Sequence, residues 1–321
     1  MLTRPLQSLV LAGALLSASA HAAYPDKPIH LIVPWAAGGS TDAVARAIAQ
    51  RMGETMGTTV VVDNRSGASG RIGTEAAAKA PPDGYTINII ELPHAIAPAV
   101  LLKVPYDLLR DFTPVSMIGT SPLMLFVNSS QYKTGDIKGF IADGRASKKP
   151  WPIAHSGNGS ISHLSGELFA AASRIKIDAI PYRGSAPALT DVAAGLVVGH
   201  FSTLASGASL LSAGKLSALM VTGSSRFAGM PDVPTASEAG IPGMQFNQWW
   251  AVVAPATTPV EIVQRLNKEV LAALAHPGTR ERLNALNIEL KGSSPNELRS
   301  FMRSEVAHWA EVARKAGVIP E

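Results

Sequence analysis

Short apolar runs alternate with glycine-rich turns and amphipathic stretches along most of the chain. The first run, 29–33, is rich in β-branched residues and ends at Pro34, which predicts a buried strand. A turn with two glycines follows, and apolar residues then recur at helical spacing from Val44 to Met52. The sequence therefore predicts a strand, a glycine loop and a helix in succession.

The same succession recurs in both halves of the chain. Similar runs predict strands at 29–33, 59–63, 86–90, 151–155, 177–180, 196–201, 216–221 and 248–253, and long helical patterns cover 260–275 and 295–316. Strands that alternate with helices over short loops imply right-handed parallel crossovers. We therefore expect an α/β fold of two lobes, each a mainly parallel sheet flanked by helices.

The chain is expected to cross between the lobes near residue 120 and again near 247. This division assigns residues 23–122 plus 248–321 to the first lobe and 123–247 to the second. The C-terminal helices would then return to the first lobe.

The first 22 residues have the pattern of a secretory signal peptide. Arg4 precedes an apolar run, 9–16, that is shorter than the ~20 residues of a bilayer span, and small residues flank a cleavage site after Ala22. A buried N-terminal helix is the alternative interpretation. No later stretch is long enough to span a membrane, so we expect a soluble periplasmic protein after removal of residues 1–22.

Composition narrows the classes of function. Of the 321 residues, 46% are hydrophobic and 16% are charged, which is typical of a globular protein. The absence of cysteine excludes disulfides, thiol nucleophiles and a lipid anchor at the cleavage site. The net charge of +4 comes from scattered basic residues, whereas a nucleic-acid surface needs a clustered patch. Nucleic acid is therefore not an expected partner.

Three glycine-rich loops at strand ends predict an anion site. A glycine turn that opens a helix offers unpaired backbone N–H groups and the positive end of the helix dipole. The loops are 38–42, 66–70 and 156–160, and each also carries serine or threonine hydroxyls. One such loop alone is more often a plain turn or helix cap, but three at strand ends favour a ligand site.

Other chemistries have weaker support. The segment 157–162 nearly matches the dinucleotide fingerprint, but Ser162 replaces its third glycine. No G-x-S-x-G elbow occurs, so a secreted α/β hydrolase, the alternative from another class, would have to pair a serine such as Ser156 with His94 or His163. The histidines show no metal-binding spacing. We expect no cofactor, no metal and no catalytic residues.

Longer motifs occur in a fixed order: YPDKPI (24–29), PWAAGGSTD (34–42), NRSGASG (64–70), PDGYT (82–86), HLSGELF (163–169), PYRGSAPAL (181–189) and PDVPT (231–235). Together they resemble the Bug receptors, which are the TctC-like periplasmic solute-binding proteins of tripartite tricarboxylate transporters. The resemblance implies a Venus-flytrap fold that binds a small carboxylate in its cleft. It also implies a monomer without enzymatic activity that delivers the ligand to integral-membrane transporter subunits; a ligand-presenting partner of a sensor is the alternative.

The resemblance further implies which positions hold the carboxylate. They are Trp35, Gly38, Gly39, Ser40, Thr41, Ala68, Ser69 and Gly70 in the first lobe and Ser156, Gly157, Asn158, Ser160, Ser202 and Thr203 in the second, with His94 as a further candidate. In the family, backbone amides, hydroxyls and ordered water bind the ligand rather than an arginine clamp.

Three departures from the family pattern suggest the type of ligand. Trp35 begins a segment that usually reads Phe-Pro-Pro, Ser202 stands where an acidic residue is common, and His155 replaces a small residue. We hypothesise that losing an acid while gaining imidazole donors at His155 and His200 favours a second carboxylate on the ligand. Trp35 would add a stacking face, so the hypothesis is a dicarboxylate, with aromatic diacids among the options.

Overall fold

The computed structural model describes residues 24–315, and the predicted signal peptide lies outside the described residues. The strands are β1 (Ile29–Val33), β2 (Val60–Asn64), β3 (Thr86–Glu91), β4 (Phe112–Asn128), β5 (Trp151–His155), β6 (Ile177–Pro181), β7 (Gly199–Thr203), β8 (Leu216–Val221), β9 (Asn247–Pro255) and β10 (Glu289–Leu290). The helices are α1 (Ser40–Met56), α2 (Arg71–Ala78), α3 (Leu92–Val100), α4 (Ile137–Ala146), α5 (Ile161–Ser173), α6 (Ser185–Ala194), α7 (Leu204–Ser212), α8 (Val260–Ala275), α9 (Pro277–Ala285) and α10 (Pro295–Lys315), and a 3-10 turn spans Ala68–Gly70.

Each sheet combines parallel strands with antiparallel ones. In the first sheet β1 is parallel to β2 and β3, and β9 runs antiparallel between β3 and β4. In the second sheet β5 is parallel to β6 and β7, and β4 runs antiparallel to β7 and β8. The parallel crossovers expected from the sequence are therefore present on either side of β4.

The strand β4 belongs to both sheets. From Phe112 to Pro122 it pairs with β9, and from Leu123 onward it pairs with β7 and β8. The sequence pattern does not predict this strand, because proline and glycine interrupt its apolar residues. The ladder with β9 shifts register beside Pro114 and Gly119, as at β-bulges.

The predicted strands are present with small shifts of their ends. The strand predicted at 196–201 begins at Gly199 and runs to Thr203, because Gly195 ends α6 in a left-handed conformation and a turn follows. Helix α1 begins after Gly39 with Asp42 in its first turn and ends at Met56, where Gly57 caps it with a φ of 68°. These capping residues explain why the helix occupies this segment.

Buried apolar side chains join the sheets to the helices. One large cluster includes Phe140 and Phe201 near the second sheet and Trp249 and Met302 near the first. Helix α10 packs against α3 and β4, and the Trp249 indole donates a hydrogen bond to Glu305 Oε2 over 2.8 Å. Within residues 24–315 no helix is long and apolar enough to cross a bilayer.

Candidate ligand-binding site

A cavity lies between the two sheets, beside Leu123 of β4. The space between its walls, including the part that is open to solvent, is about 460 Å³. The first-sheet side contributes Trp35, Ala36, Gly39, Ser40, Thr41, Glu91, Pro93 and Gln248, and the second-sheet side contributes Leu123, Ser156, Ser160, Ile161, Ser162, Ser185, Phe201, Ser202 and Thr203.

Five helices begin at this cavity: α1, α3, α5, α6 and α7 each place a cap or first-turn residue in its wall. Each of them follows a strand directly along the chain, namely β1, β3, β5, β6 and β7. The carboxyl ends of parallel strands are where α/β folds bind ligands. Unpaired N–H groups and aligned peptide dipoles at helix N-termini make such a place positive.

The positive potential does not come from cationic side chains. None of the described residues that line the cavity is a lysine, an arginine or a histidine. Helix N-termini bind anions through backbone N–H groups without a formal charge. The arrangement is therefore chemically suited to a small anion.

Hydrogen bonds fix the first glycine loop before α1. The Gly38 N–H donates to Asp42 Oδ2 over 3.0 Å, and Gly38 has a φ of 84°, which favours glycine. Burial raises the pKa of Asp42, but hydrogen bonds from Arg46 and Gly38 outweigh it and hold that pKa below its ordinary value. The Ser40 N–H donates to Ser206 Oγ of α7 over 2.9 Å, so the loop also contacts the second-sheet side.

A buried carboxyl group, Glu91, lies in the cavity wall at the end of β3. Its Oε2 accepts hydrogen bonds from Thr41 Oγ1, over 2.7 Å, and from the Gln248 side-chain amide. Trp250 donates to the same Thr41 oxygen over 3.1 Å, so the Thr41 hydroxyl supports Glu91. Burial raises the pKa of Glu91 to about 7, although these hydrogen bonds lower it. At neutral pH the group exchanges between its acid and its carboxylate form.

Serine hydroxyls form a connected chain on the opposite wall. Ser156 Oγ lies 2.9 Å from Ser185 Oγ and 3.2 Å from Ser162 Oγ, and Ser162 Oγ lies 3.0 Å from Ser160 Oγ. Hydroxyl hydrogens can rotate toward an anion. Among the described residues no histidine side chain hydrogen-bonds these hydroxyls, so the serine–base pair that a hydrolase needs is not formed.

Comparison with known proteins assigns the family. A sequence model of the tripartite tricarboxylate transporter family receptor matches residues 44–318. The chain belongs to this receptor family. Its members are periplasmic solute-binding receptors and not enzymes.

Three solved structures are similar to this receptor over most of its length. The periplasmic binding protein BugD is 33% identical, covers 93% of this chain and 100% of its own, and has a TM-score of 0.89. R. palustris Rpa4515 with adipate is 38% identical, with coverage of 93% and 100% and a TM-score of 0.87. MatC from Rhodopseudomonas palustris with bound malate is 32% identical, with coverage of 90% and 100% and a TM-score of 0.85. The predicted two-lobed α/β fold of a periplasmic binding protein is confirmed.

The receptor brings most of the predicted contact residues together. Those in the cavity wall are Trp35, Gly39, Ser40, Thr41, Ser156, Ser160, Ser202 and Thr203. Ala68, Ser69, Gly157 and Asn158 line a second cavity that adjoins the first at Trp35 and Ser156. Gly38 and Gly70 line neither, because Gly38 is held toward Asp42 and Gly70 packs beneath the Trp35 ring.

The histidines do not have the positions expected from the sequence. His94 is 1% exposed, lies 2.8 Å from the Thr74 hydroxyl through Nε2, and lines neither cavity. His200 bonds the Ala154 carbonyl over 2.9 Å, and His155 stacks on His163 with ring centroids 4.4 Å apart. Burial lowers the pKa of His94, His155 and His200 to about 4, so all three are neutral. None of these three imidazoles therefore lines either cavity.

An acidic group, Glu91, also lines the cavity, so the serine at position 202 does not leave the wall without an acid. Glu91 comes directly after the predicted strand 86–90, and this position at a strand end was the signal that could have identified it. Gln248 gave no comparable signal, since its partner Glu91 lies 157 residues away in the chain.

Replacing Glu91 is expected to change how stability depends on pH. The pKa of Glu91 is about 7 in the folded protein, whereas that of an unfolded glutamate is about 4.3. The unfolded state therefore loses its proton first, and the wild type loses stability as the pH rises from about 4 to about 7. The free energy of unfolding of Glu91→Gln, relative to that of the wild type, should therefore rise by on the order of 2 kcal/mol between about pH 5 and about pH 8. Urea unfolding across this range measures the difference, with the exposed Glu261→Gln as the control. Parallel pH curves for Glu91→Gln and the wild type would contradict the assignment.

Proposed function

We propose that this receptor binds a small carboxylate in the cavity and delivers it to the integral-membrane subunits of a tripartite tricarboxylate transporter. The main support is the convergence of five helix N-termini on one cavity whose described wall carries no cationic side chain. The adipate and the malate in the two similar structures favour a carboxylate over other anions.

Hydroxyl groups in the wall supply further donors for the carboxylate. Thr203 Oγ1 is buried and has no hydrogen-bond partner among the described residues, and it does not cap α7. A buried hydroxyl without a partner is unfavourable, so an acceptor on the ligand would relieve this cost. The Ser156–Ser185 pair faces the same space.

We propose that residues 23–122 plus 248–321 and residues 123–247 are two lobes that close on the ligand. The switch of β4 from one sheet to the other at Pro122 and Leu123 supports this division. Small residues line the contact between the lobes. A Cβ on Gly38 would lie 3.6 Å from Ala186, and a Cβ on Gly184 would lie 3.5 Å from Ala36.

We also propose that the receptor works in the periplasm. Residues 1–22 would direct export as a cleavable signal peptide, and the mature receptor would act as a soluble monomer in the periplasm without a lipid anchor. The periplasmic family to which the chain belongs supports this location.

Removing the Thr203 hydroxyl is expected to weaken carboxylate binding. Thr203→Val keeps the shape of the side chain and removes a hydroxyl that has no hydrogen-bond partner among residues 24–315, so the fold should be unaffected. Loss of one hydrogen bond to the ligand should raise the dissociation constant about five- to tenfold. Calorimetry with adipate and malate measures this, with Thr190→Val on the exposed face of α6 as the control. An unchanged dissociation constant would argue against Thr203 as a donor, and a wild type that binds no carboxylate would overturn the function itself.

Closure of the lobes is expected to depend on Gly157. A Cβ at this position would lie 2.5 Å from Ser69 Oγ across the cleft, and its φ is 124°. Gly157→Ala should therefore hold the lobes apart and reduce affinity by about tenfold or more. Small-angle scattering with saturating ligand should show a larger radius of gyration than in the wild type. Gly184→Ala is the matched control, because its φ of 127° imposes the same backbone strain, but its Cβ would meet Ala36 only at an ordinary contact distance of 3.5 Å. Equal compaction of both variants would refute the role of Gly157.

A further inference from the structure

A second cavity lies next to the first, since the two share residues of their walls. The space between its walls is about 570 Å³, and both cavities are lined by Trp35 and Ser156. A ligand that extends past Trp35 would therefore occupy both. The first cavity has no cationic side chain in its described wall, whereas Arg71 and Arg183 line the second.

In the described part of the chain neither arginine is neutralised by an acidic side chain. Among the described residues Arg71 and Arg183 form no ion pair and no side-chain hydrogen bond, and no aspartate or glutamate lines the second cavity. The Nη1 atom of Arg71 is buried and has no hydrogen-bond partner. A buried guanidinium nitrogen without an acceptor is unfavourable, and a carboxylate is the group whose geometry matches it best.

Local backbone structure presents both side chains at this place. Arg71 begins α2 directly after a left-handed turn in which Ser69 has a φ of 54° and Gly70 a φ of 86°. Arg183 lies between β6 and α6, before Gly184 with a φ of 127°. The two arginines thus come from opposite sides of the cleft, one from each proposed lobe, and a group bound between them would link the two sides.

We propose that Arg71 and Arg183 bind a second carboxylate of the ligand, so that the receptor selects dicarboxylates over matched monocarboxylates. This inference rests on the proposed carboxylate-binding function. The first carboxylate lies at the helix N-termini, the carbon chain or ring passes Trp35, and the second carboxylate pairs with the two guanidinium groups. The cleft therefore recognises its ligand by two different means at its two ends.

The test compares diacids with acids that lack the second carboxylate. Calorimetry would use succinate against butyrate, adipate against hexanoate, and terephthalate against benzoate, on the wild type and on Arg71→Gln and Arg183→Gln. We expect the wild type to bind its best diacid at least about tenfold more tightly than the matched monoacid. Arg71→Gln should remove most of this preference by weakening the diacid alone, and Arg183→Gln should reduce it.

Two further variants separate recognition from folding. Arg71→Lys keeps the charge and should retain part of the preference. Arg65→Gln changes an exposed arginine that pairs with Asp63 and lines neither cavity, and it should leave the preference unchanged. Partial retention by Arg71→Lys would show that charge, rather than the bulk of the side chain, produces the preference.

The outcomes that overturn the inference differ from those that overturn the function. Equal wild-type affinity for a diacid and its monoacid would refute the second carboxylate and leave the receptor function intact. Equal weakening of both acids by Arg71→Gln would show a structural role for Arg71 and would also refute it. Failure of the wild type to bind any acid of the series would overturn the carboxylate function and, with it, this inference.

Discussion

The backbone hydrogen bonds of β4 determine the arrangement of the whole molecule. Because this strand pairs with β9 in one sheet and with β7 and β8 in the other, the two sheets lie side by side across a single shared strand. The carboxyl ends of the parallel strands then open toward a common space. Five helices begin there, and the cavity is a consequence of this topology rather than of any one loop.

Backbone dipoles, and not charged side chains, make the first cavity attractive to an anion. The net charge of +4 comes from residues scattered along the chain, and it does not indicate where this anion-binding cavity lies. Glu91 lies in the same wall, where burial and the surrounding donors act on its pKa in opposite directions. The protonation state of this carboxyl group affects anion binding, because its acid form can donate a hydrogen bond to an anion whereas its carboxylate form repels one.

Local parts of the site could be predicted from the sequence, and distant pairings could not. The loops 38–42 and 156–160 are defined by glycines and hydroxyl residues next to apolar runs, so their pattern is visible in a short window. The strand β4 was missed because proline and glycine at its bulges break the alternation that identifies a strand. His94 was misplaced because the sequence does not show that its ring turns back to bond Thr74. Glu91 and Gln248 meet only through the pairing of β3 with β9.

The connection between the two halves has a mechanical consequence. The chain passes from one half to the other within β4 at Pro122 and again just before β9, and Pro122 pairs directly with Asn247. Both crossings thus lie side by side in one two-stranded ribbon rather than in two separate loops. Because the two crossings are adjacent, a rotation of the halves relative to each other would take place about this ribbon. The angle about this ribbon would then set the width of the cleft between the two proposed lobes.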